Sequence, residues 1–149
     1  IKNKKPIKFL NTQIKFIKVK KENFFGFEKI EYNNFEIFIA DKEKSLIDSV
    51  LLKKISFSEI KEILTLNIKI LNINKIMKYL KKINSSSLTK RFGFLLEQLG
   101  YNVYNKLKND IDLTYTLLDY TKPSRGKKNR KWGLMLNDSN NRTWKSSKN

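Results

Sequence analysis

The spacing of the apolar residues changes twice along the chain, and this constrains the fold more than any other feature. Apolar residues roughly alternate with lysines in residues 1–40, recur at three- and four-residue intervals in 41–99, and form short runs after 113. Alternation is typical of strands, and the longer period is typical of amphipathic helices. The sequence therefore predicts an α+β fold with N-terminal antiparallel strands, a block of about four helices, C-terminal strands and a basic tail.

Two strands and a turn are predicted before residue 41. The alternating residues over 14–19 indicate one strand, and the run Phe35–Ala40 indicates a second, more buried one. Asn33 and Asn34 lie directly before that run, and asparagine tolerates the positive φ angles of a hairpin turn. Gly26, among phenylalanines, indicates a bend or bulge.

The helical block carries recognisable start and stop signals. Asp41 is expected to cap the first helix, and Ser56-Phe-Ser-Glu59 fits a capping box for the second. A third helix is expected over residues 74–83. A fourth is expected from about residue 86 to Leu99, closed by Gly100.

The last third of the chain predicts short elements and then a polar tail. From residue 138 onward no apolar pattern remains, so we expect a flexible tail over 138–149 behind one domain at 1–137. Ahead of the tail we expect a short helix, a strand, a basic loop and a final strand, over 103–109, 114–118, 120–131 and 132–136.

The chain contains no cysteine and no histidine among its 149 residues. This excludes disulfides, zinc-finger sites and nucleophilic chemistry based on those two side chains. No apolar run approaches a membrane span, and no signal peptide is evident, so we expect a cytoplasmic protein without a membrane partner. Because the first residue is not methionine, we also expect that a longer protein has been trimmed.

The net charge is strongly positive, with 32 lysines and arginines against 14 acidic residues. A charge of +18 attracts polyanions in general, whether nucleic acid, an anionic membrane surface or an acidic protein, and of these we expect nucleic acid. The alternative is that a composition rich in lysine, isoleucine and asparagine reflects an AT-rich genome.

A dense cationic loop precedes the last tryptophan. Its basic side chains are candidates for phosphate contacts, while Trp132 either stacks on a base or, as we prefer, anchors the final strand in the core. The candidate phosphate-binding residues of this loop are Arg125, Lys127, Lys128, Arg130 and Lys131.

The fourth predicted helix contributes two further candidate nucleic-acid contacts. Lys90 is expected to be exposed, whereas Arg91 is expected either to pair internally with Glu43 or Glu97 or to project toward phosphate. Gly93 costs roughly 1 kcal/mol relative to alanine inside a helix. The close approach of another backbone is the simplest explanation for it.

Three carboxylates, Asp110, Asp112 and Asp119, raise the alternative of a Mg²⁺-dependent nuclease or transferase. That alternative requires them to cluster in space. The chain lacks the Gly-Ser turn of a nucleotidyl transferase and any glycine-rich phosphate loop. We therefore expect no catalysis, no metal and no cofactor.

Three motifs, in order, resemble the C-terminal domain of the AbiEi antitoxin family, whose members are described as transcriptional regulators of viral defence systems. They are an EKsLID helix, a KRxGxLLExxG helix and a terminal Pro-x-x-Gly…Lys-Trp…Asn strand. The residues that carry the resemblance are Glu43, Lys44, Leu46, Ile47 and Asp48, then Arg91, Gly93, Leu95, Leu96, Glu97 and Gly100, and finally Pro123, Gly126, Trp132 and Asn137.

The resemblance implies a regulatory domain that binds and does not catalyse. Such antitoxins carry an N-terminal winged helix for their operator, and their C-terminal domain neutralises a nucleotidyl-transferase-like toxin in type IV phage-defence systems. This chain departs from the pattern, because residues 1–13 are too few for a winged helix. The alternative is a stand-alone basic module that binds RNA or DNA.

Overall fold

The computed structural model describes residues 4–138, and the predicted succession of strands, helices and strands is present. The strand predicted over residues 14–19 is not formed there, because the strand ends at Ile14 and residues 15–20 have no regular structure. Antiparallel strands come first, five helices form the middle, and short strands close the domain. The predicted α+β fold is therefore confirmed. Within residues 4–138, no helix is long and apolar enough to cross a membrane.

Two hairpins form the N-terminal part. Strand β1 (Ile7–Phe9) pairs antiparallel with β2 (Thr12–Ile14), and β3 (Phe27–Tyr32) pairs antiparallel with β4 (Phe35–Ala40). The two asparagines between β3 and β4 have φ angles of 49° and 64°, so the predicted turn is confirmed.

The run Phe35–Ala40, predicted to be the more buried of the two strands, is largely exposed. Five of its six residues are exposed, as are five of the six in β3. The hairpin extends beyond the helices, and no second layer of residues 4–138 covers it. Because burial of a strand requires a packed neighbour, an apolar run alone does not establish it.

Five helices build the centre of the domain. They are α1 (Lys42–Leu51), α2 (Phe57–Asn67), α3 (Ile73–Ile83), α4 (Ser86–Gln98) and the single turn α5 (Tyr104–Leu107). The predicted N-terminal signals are confirmed, because Asp41 accepts a hydrogen bond from the Lys44 amide and Ser56 forms a reciprocal capping box with Glu59.

A three-stranded sheet closes the domain against α4. Its order is β5 (Thr116–Leu117), β7 (Leu134–Leu136) and β6 (Lys127–Asn129), with β5 parallel and β6 antiparallel to the central β7. The segment predicted as a basic loop thus contains an edge strand. The core joins this sheet to the helices through fully buried side chains that include Ile47, Ile60, Leu64, Ile76, Leu80, Phe92, Leu96, Leu118 and Leu134.

A buried ionic cluster attaches the β3–β4 hairpin to the helices. The Tyr79 hydroxyl donates to the Asp41 carboxylate at 2.6 Å, and the Lys75 ammonium lies 3.2 Å from Asp41 and 3.3 Å from Glu43. The Asp41 amide donates to the Gly26 carbonyl at 2.9 Å. Burial and the hydrogen bond to Asp41 raise the pKa of Tyr79 to about 12. The hairpin base is therefore fixed although its strands are exposed.

Candidate nucleic-acid interface

The sheet is docked on α4 through contact between a tryptophan and a glycine. Trp132 is 1% exposed, and a Cβ added at Gly93 would lie 2.2 Å from two ring atoms of its indole. We had expected another backbone at Gly93, so that interpretation was wrong: a side chain fills the space. The preferred interpretation of Trp132 as a core anchor is confirmed, and base stacking by this residue is contradicted by its burial.

Glu97 links the same docking contact to the basic segment. One carboxylate oxygen accepts from the Trp132 indole N–H at 2.8 Å, and the other accepts from the Lys131 ammonium at 2.7 Å. Tyr104 packs edge-on against the indole and lies beneath Lys131. The turn after β6 is thereby tied to two helices, so the basic segment is held on a rigid support.

The edge strand β6 determines where its lysines point. Lys128 pairs with Met135 in the ladder, while its neighbours pair with the core-facing Leu134 and Leu136. Because successive side chains of a strand alternate between faces, Lys128 lies on the outer face of the sheet. Its ammonium is 5.0 Å from the centre of the Tyr115 ring. Gly126 lies directly before this strand. A Cβ added at Gly126 would lie 2.1 Å from the Leu136 carbonyl oxygen, so the close approach of β7 requires glycine there.

Four of the predicted phosphate-binding side chains are exposed and lie in one segment. Within residues 4–138, Arg125, Lys127, Lys128 and Arg130 form no ion pair with a carboxylate. Lys131 is also exposed, but it is paired with Glu97. The exposed group of Arg125, Lys127, Lys128 and Arg130 is called the basic edge below.

Lys90 does not belong to this surface. We had predicted an exposed lysine, but the residue is 0% exposed. Its ammonium lies 2.5 Å from an Asp112 carboxylate oxygen and 2.5 Å from the Thr114 carbonyl oxygen. Since a buried ammonium requires such partners, the side chain is committed to joining α4 to the segment before β5. The prediction that it contacts phosphate is corrected accordingly.

Arg91 also has an internal position, although not with the predicted carboxylates. Its guanidinium donates to the backbone carbonyls of Leu117, Leu118 and Ser87 and lies against the Tyr120 ring. Neither Glu43 nor Glu97 is among its partners within residues 4–138. Arg91 therefore anchors the end of β5 to α4 through hydrogen bonds to backbone carbonyls.

The three carboxylates of the metal-dependent alternative are not assembled into one site. Asp112 pairs with Lys90, Asp110 lies 3.7 Å from the Lys81 ammonium, and Asp119 lies 3.6 Å from Lys122. Within residues 4–138, no group of three or more acidic side chains is placed to hold a metal ion. The clustering which that alternative requires is thus missing from the described part of the chain.

The sequence did not lead us to predict that Asn137 and Asp138 hold the start of the basic loop. The Asn137 side-chain amide donates to the carbonyls of Asp119, Lys122 and Pro123, and its oxygen accepts from the Asp119 amide. Asp138, the first residue of the predicted tail, is buried and pairs with Lys122. The rest of the predicted basic tail, residues 139–149, lies outside the described residues. The Asn137-Asp138 pair directly after the predicted final strand is the feature of the sequence that could have indicated these contacts.

A scan of protein-family models, a search of curated proteins and a search of solved structures each found no match to this chain.

Proposed function

We propose that this domain is a non-catalytic, cytoplasmic regulatory module that binds the phosphate backbone of duplex DNA through the basic edge. It would act as the C-terminal part of an AbiEi-like antitoxin and transcriptional regulator, as the three sequence motifs suggest. A nucleotidyl-transferase-like toxin is the protein partner that the same resemblance implies.

The observation that carries the proposal is the contrast between two sets of cations. Lys90 and Arg91 are held inside the domain by carbonyl and carboxylate oxygens. Arg125, Lys127, Lys128 and Arg130 have no carboxylate partner within residues 4–138 and lie within six residues on and beside the edge strand β6, where Lys127 and Lys128 point to opposite faces of the sheet. Lysines on an edge strand also discourage pairing with other strands, so exposure alone does not establish binding. Clustering on a supported edge is the feature that favours phosphate contact.

The geometry favours contacts to phosphates over contacts to bases. The basic edge runs over six residues, of which three form β6, so it spans at most about 20 Å. Its four cationic side chains can contact at most four phosphates, and duplex DNA, with one charge per roughly 1.7 Å of axis, offers more than that number over the same length. Trp132 is buried against α4 and is not available for stacking on a base, and the ring of the partly exposed Tyr115 already has the Lys128 ammonium 5.0 Å from its centre.

The test is a salt series of binding to a random-sequence 20-base-pair duplex and to an RNA hairpin of similar length. The wild-type chain is compared with a variant in which Arg125, Lys127, Lys128 and Arg130 become alanine. Each neutralised phosphate contributes roughly 0.9 to the log–log slope on duplex DNA. The variant is therefore expected to bind more weakly and to show a slope shallower by about 2 to 4.

A charge-matched control separates a local site from the general positive field. Replacing the exposed residues Lys42, Lys54, Lys69 and Lys78 of the helical block by alanine removes the same net charge. We expect this control to retain most of the wild-type slope. Equal losses in the two variants, or negligible wild-type binding near 150 mM salt, would contradict the proposal. Preferential binding of the RNA hairpin would instead support a stand-alone RNA-binding module.

A further inference from the structure

The β3–β4 hairpin has two chemically different faces. Because residues paired in the ladder share a face, one face carries Ile30, Tyr32, Phe35, Ile37 and Ile39 together with one glutamate, Glu28. This set of five is called the hairpin face. The opposite face carries Phe27, Lys29, Glu31, Glu36, Phe38 and Ala40, including the Lys29–Glu36 ion pair. The hairpin is therefore amphipathic, but its apolar face is not covered within residues 4–138.

Isolation of such a hairpin is energetically unfavourable. A two-stranded hairpin is marginally stable alone in water, and contiguous apolar patches on monomers usually mark contact sites. Tyr32 and Phe35 are 64% and 72% exposed, and the isoleucines are only partly shielded. We therefore expect another segment of protein to cover the hairpin face.

The charge of the hairpin restricts the chemistry of that occupant. Residues 27–40 contain three glutamates and one lysine, a net charge of −2, within a chain of +18. A second hairpin face stacked on the first would bring two acidic segments together. An apolar segment with positive charge is the complementary partner.

The chain itself contains such a segment. Residues 4–21, called the arm below, include seven lysines and no acidic residue, a net charge of +7. Within residues 4–21 every residue is exposed, and the large apolar side chains are Ile7, Phe9, Leu10, Ile14, Phe16, Ile17 and Val19. Its own pairing is limited to the short β1–β2 hairpin.

We infer that the arm of one copy of this chain binds the hairpin face of a second copy, giving a symmetric dimer with two reciprocal contacts. The short 3-10 helix Lys21–Asn23 packs near α3 between the two segments, so the arm and the hairpin leave the helices separately. Each copy then presents both halves of the interface. This is the isologous arrangement that closes a twofold dimer.

The size of the contact is sufficient for a stable dimer. A buried aromatic side chain covers about 150–250 Å². Covering the exposed parts of the apolar residues on the arm and the hairpin face removes on the order of 1,000 Å² per contact, and two contacts remove on the order of 2,000 Å². Stable specific interfaces bury about 1,200–2,000 Å² in total.

Thiol cross-linking tests the occupant directly, because the chain has no cysteine of its own. Phe16→Cys in the arm and Ile37→Cys on the hairpin face are prepared as single variants, one with a size tag. They are mixed near 150 mM salt without nucleic acid and treated with a short bifunctional thiol reagent. We expect a mixed cross-linked dimer that forms faster than the one made with Phe38→Cys, which lies on the opposite hairpin face.

The other outcomes each overturn the inference in a recognisable way. Dominant Ile37–Ile37 cross-links would mean that two hairpins stack face to face. A Phe16→Cys/Ile37→Cys double variant that links within one monomer would mean that each copy is covered by its own arm. Cross-linking no faster than the Phe38 control would mean that the hairpin face is free or serves another partner.

Sedimentation equilibrium with a matched pair of variants provides the second test. Phe35→Ser removes a phenylalanine that is 72% exposed on the hairpin face. Phe38→Ser removes one that is 71% exposed on the opposite face. Only Phe35→Ser is expected to raise the dimer dissociation constant, by 10-fold or more. Equal effects, or a monomeric wild-type chain at tens of micromolar, would overturn the inference. Because this experiment contains no nucleic acid, a negative result would overturn the dimer alone and would not bear on the proposed DNA binding.

Discussion

Replacement of Gly93 by alanine separates intrinsic helix preference from tertiary packing, because the two effects have opposite signs. Alanine is favoured over glycine inside a helix by about 1 kcal/mol. Here the new Cβ would lie 2.2 Å from two ring atoms of Trp132, a separation that real Cβ contacts do not show. Overpacking of a core costs typically 1–3 kcal/mol, and so close a contact belongs at or above the upper end. The expected net loss in the free energy of unfolding is about 2 kcal/mol.

Thermal and urea unfolding followed by circular dichroism measure this loss. For a chain of 149 residues, about 2 kcal/mol corresponds to a fall in Tm of roughly 4–8 °C. The decisive comparison is the same Gly93→Ala change in a Trp132→Phe background. Phenylalanine lacks the outer indole atoms Cζ3 and Cη2 that make the contact. There the substitution should be neutral or stabilising. A Gly93→Ala variant that is more stable than wild type, or equally destabilised in both backgrounds, would refute the packing argument.

Two further predictions concern buried polar partners. Lys90→Met should lower stability at pH 7 by about 1–2 kcal/mol, the cost being limited because Asp112 is half exposed. The hydrogen bond from Lys90 lowers the pKa of Asp112, so the stabilising contribution of this pair is complete above about pH 4 and is lost progressively as the pH falls toward the lowered pKa. Acid unfolding of the variant should therefore be less steep, and an unchanged pH profile would contradict the pairing. Tyr79→Phe should cost about 1.5–3 kcal/mol by removing the hydrogen bond to Asp41. The difference between wild-type and variant ultraviolet titrations should show one tyrosine ionising near pH 12, and a difference centred near pH 10 would contradict this.

The features predicted correctly from sequence depend on contacts within a few residues. The Asp41 cap, the Ser56–Glu59 capping box and the Asn33–Asn34 turn all involve partners at most three residues apart. Such signals are visible in a short window of sequence, because the hydrogen bond and the residues that make it are local. The order of strands and helices followed from the same kind of information.

The errors concern partners that are distant along the chain. Lys90 is buried because Asp112 and Thr114 lie 22 and 24 residues further on, and nothing beside Lys90 indicates this. The ring that fills the space at Gly93 belongs to Trp132, which is likewise remote in sequence. Burial of the run Phe35–Ala40 was predicted from its composition, but it depends on a covering layer that composition does not specify.

Several acidic residues are paired inside the domain, and this affects how a polyanion-binding site on the surface can be identified. Asp41, Glu43, Asp119 and Asp138 are buried, and each lies near a lysine ammonium of the domain. Within residues 4–138 most lysines and arginines are exposed, so the positive charge of this part of the chain lies mainly on its surface. A field of this kind attracts any polyanion, so weak and salt-sensitive binding by itself identifies no site. What distinguishes a site is position. The salt dependence of DNA binding could change more when four charges are removed from the basic edge than when four are removed from the helical block. In that case the Trp132–Glu97 contact beneath that edge contributes to function by holding the basic edge in place. If the two sets are equivalent, that support serves only the stability of the fold.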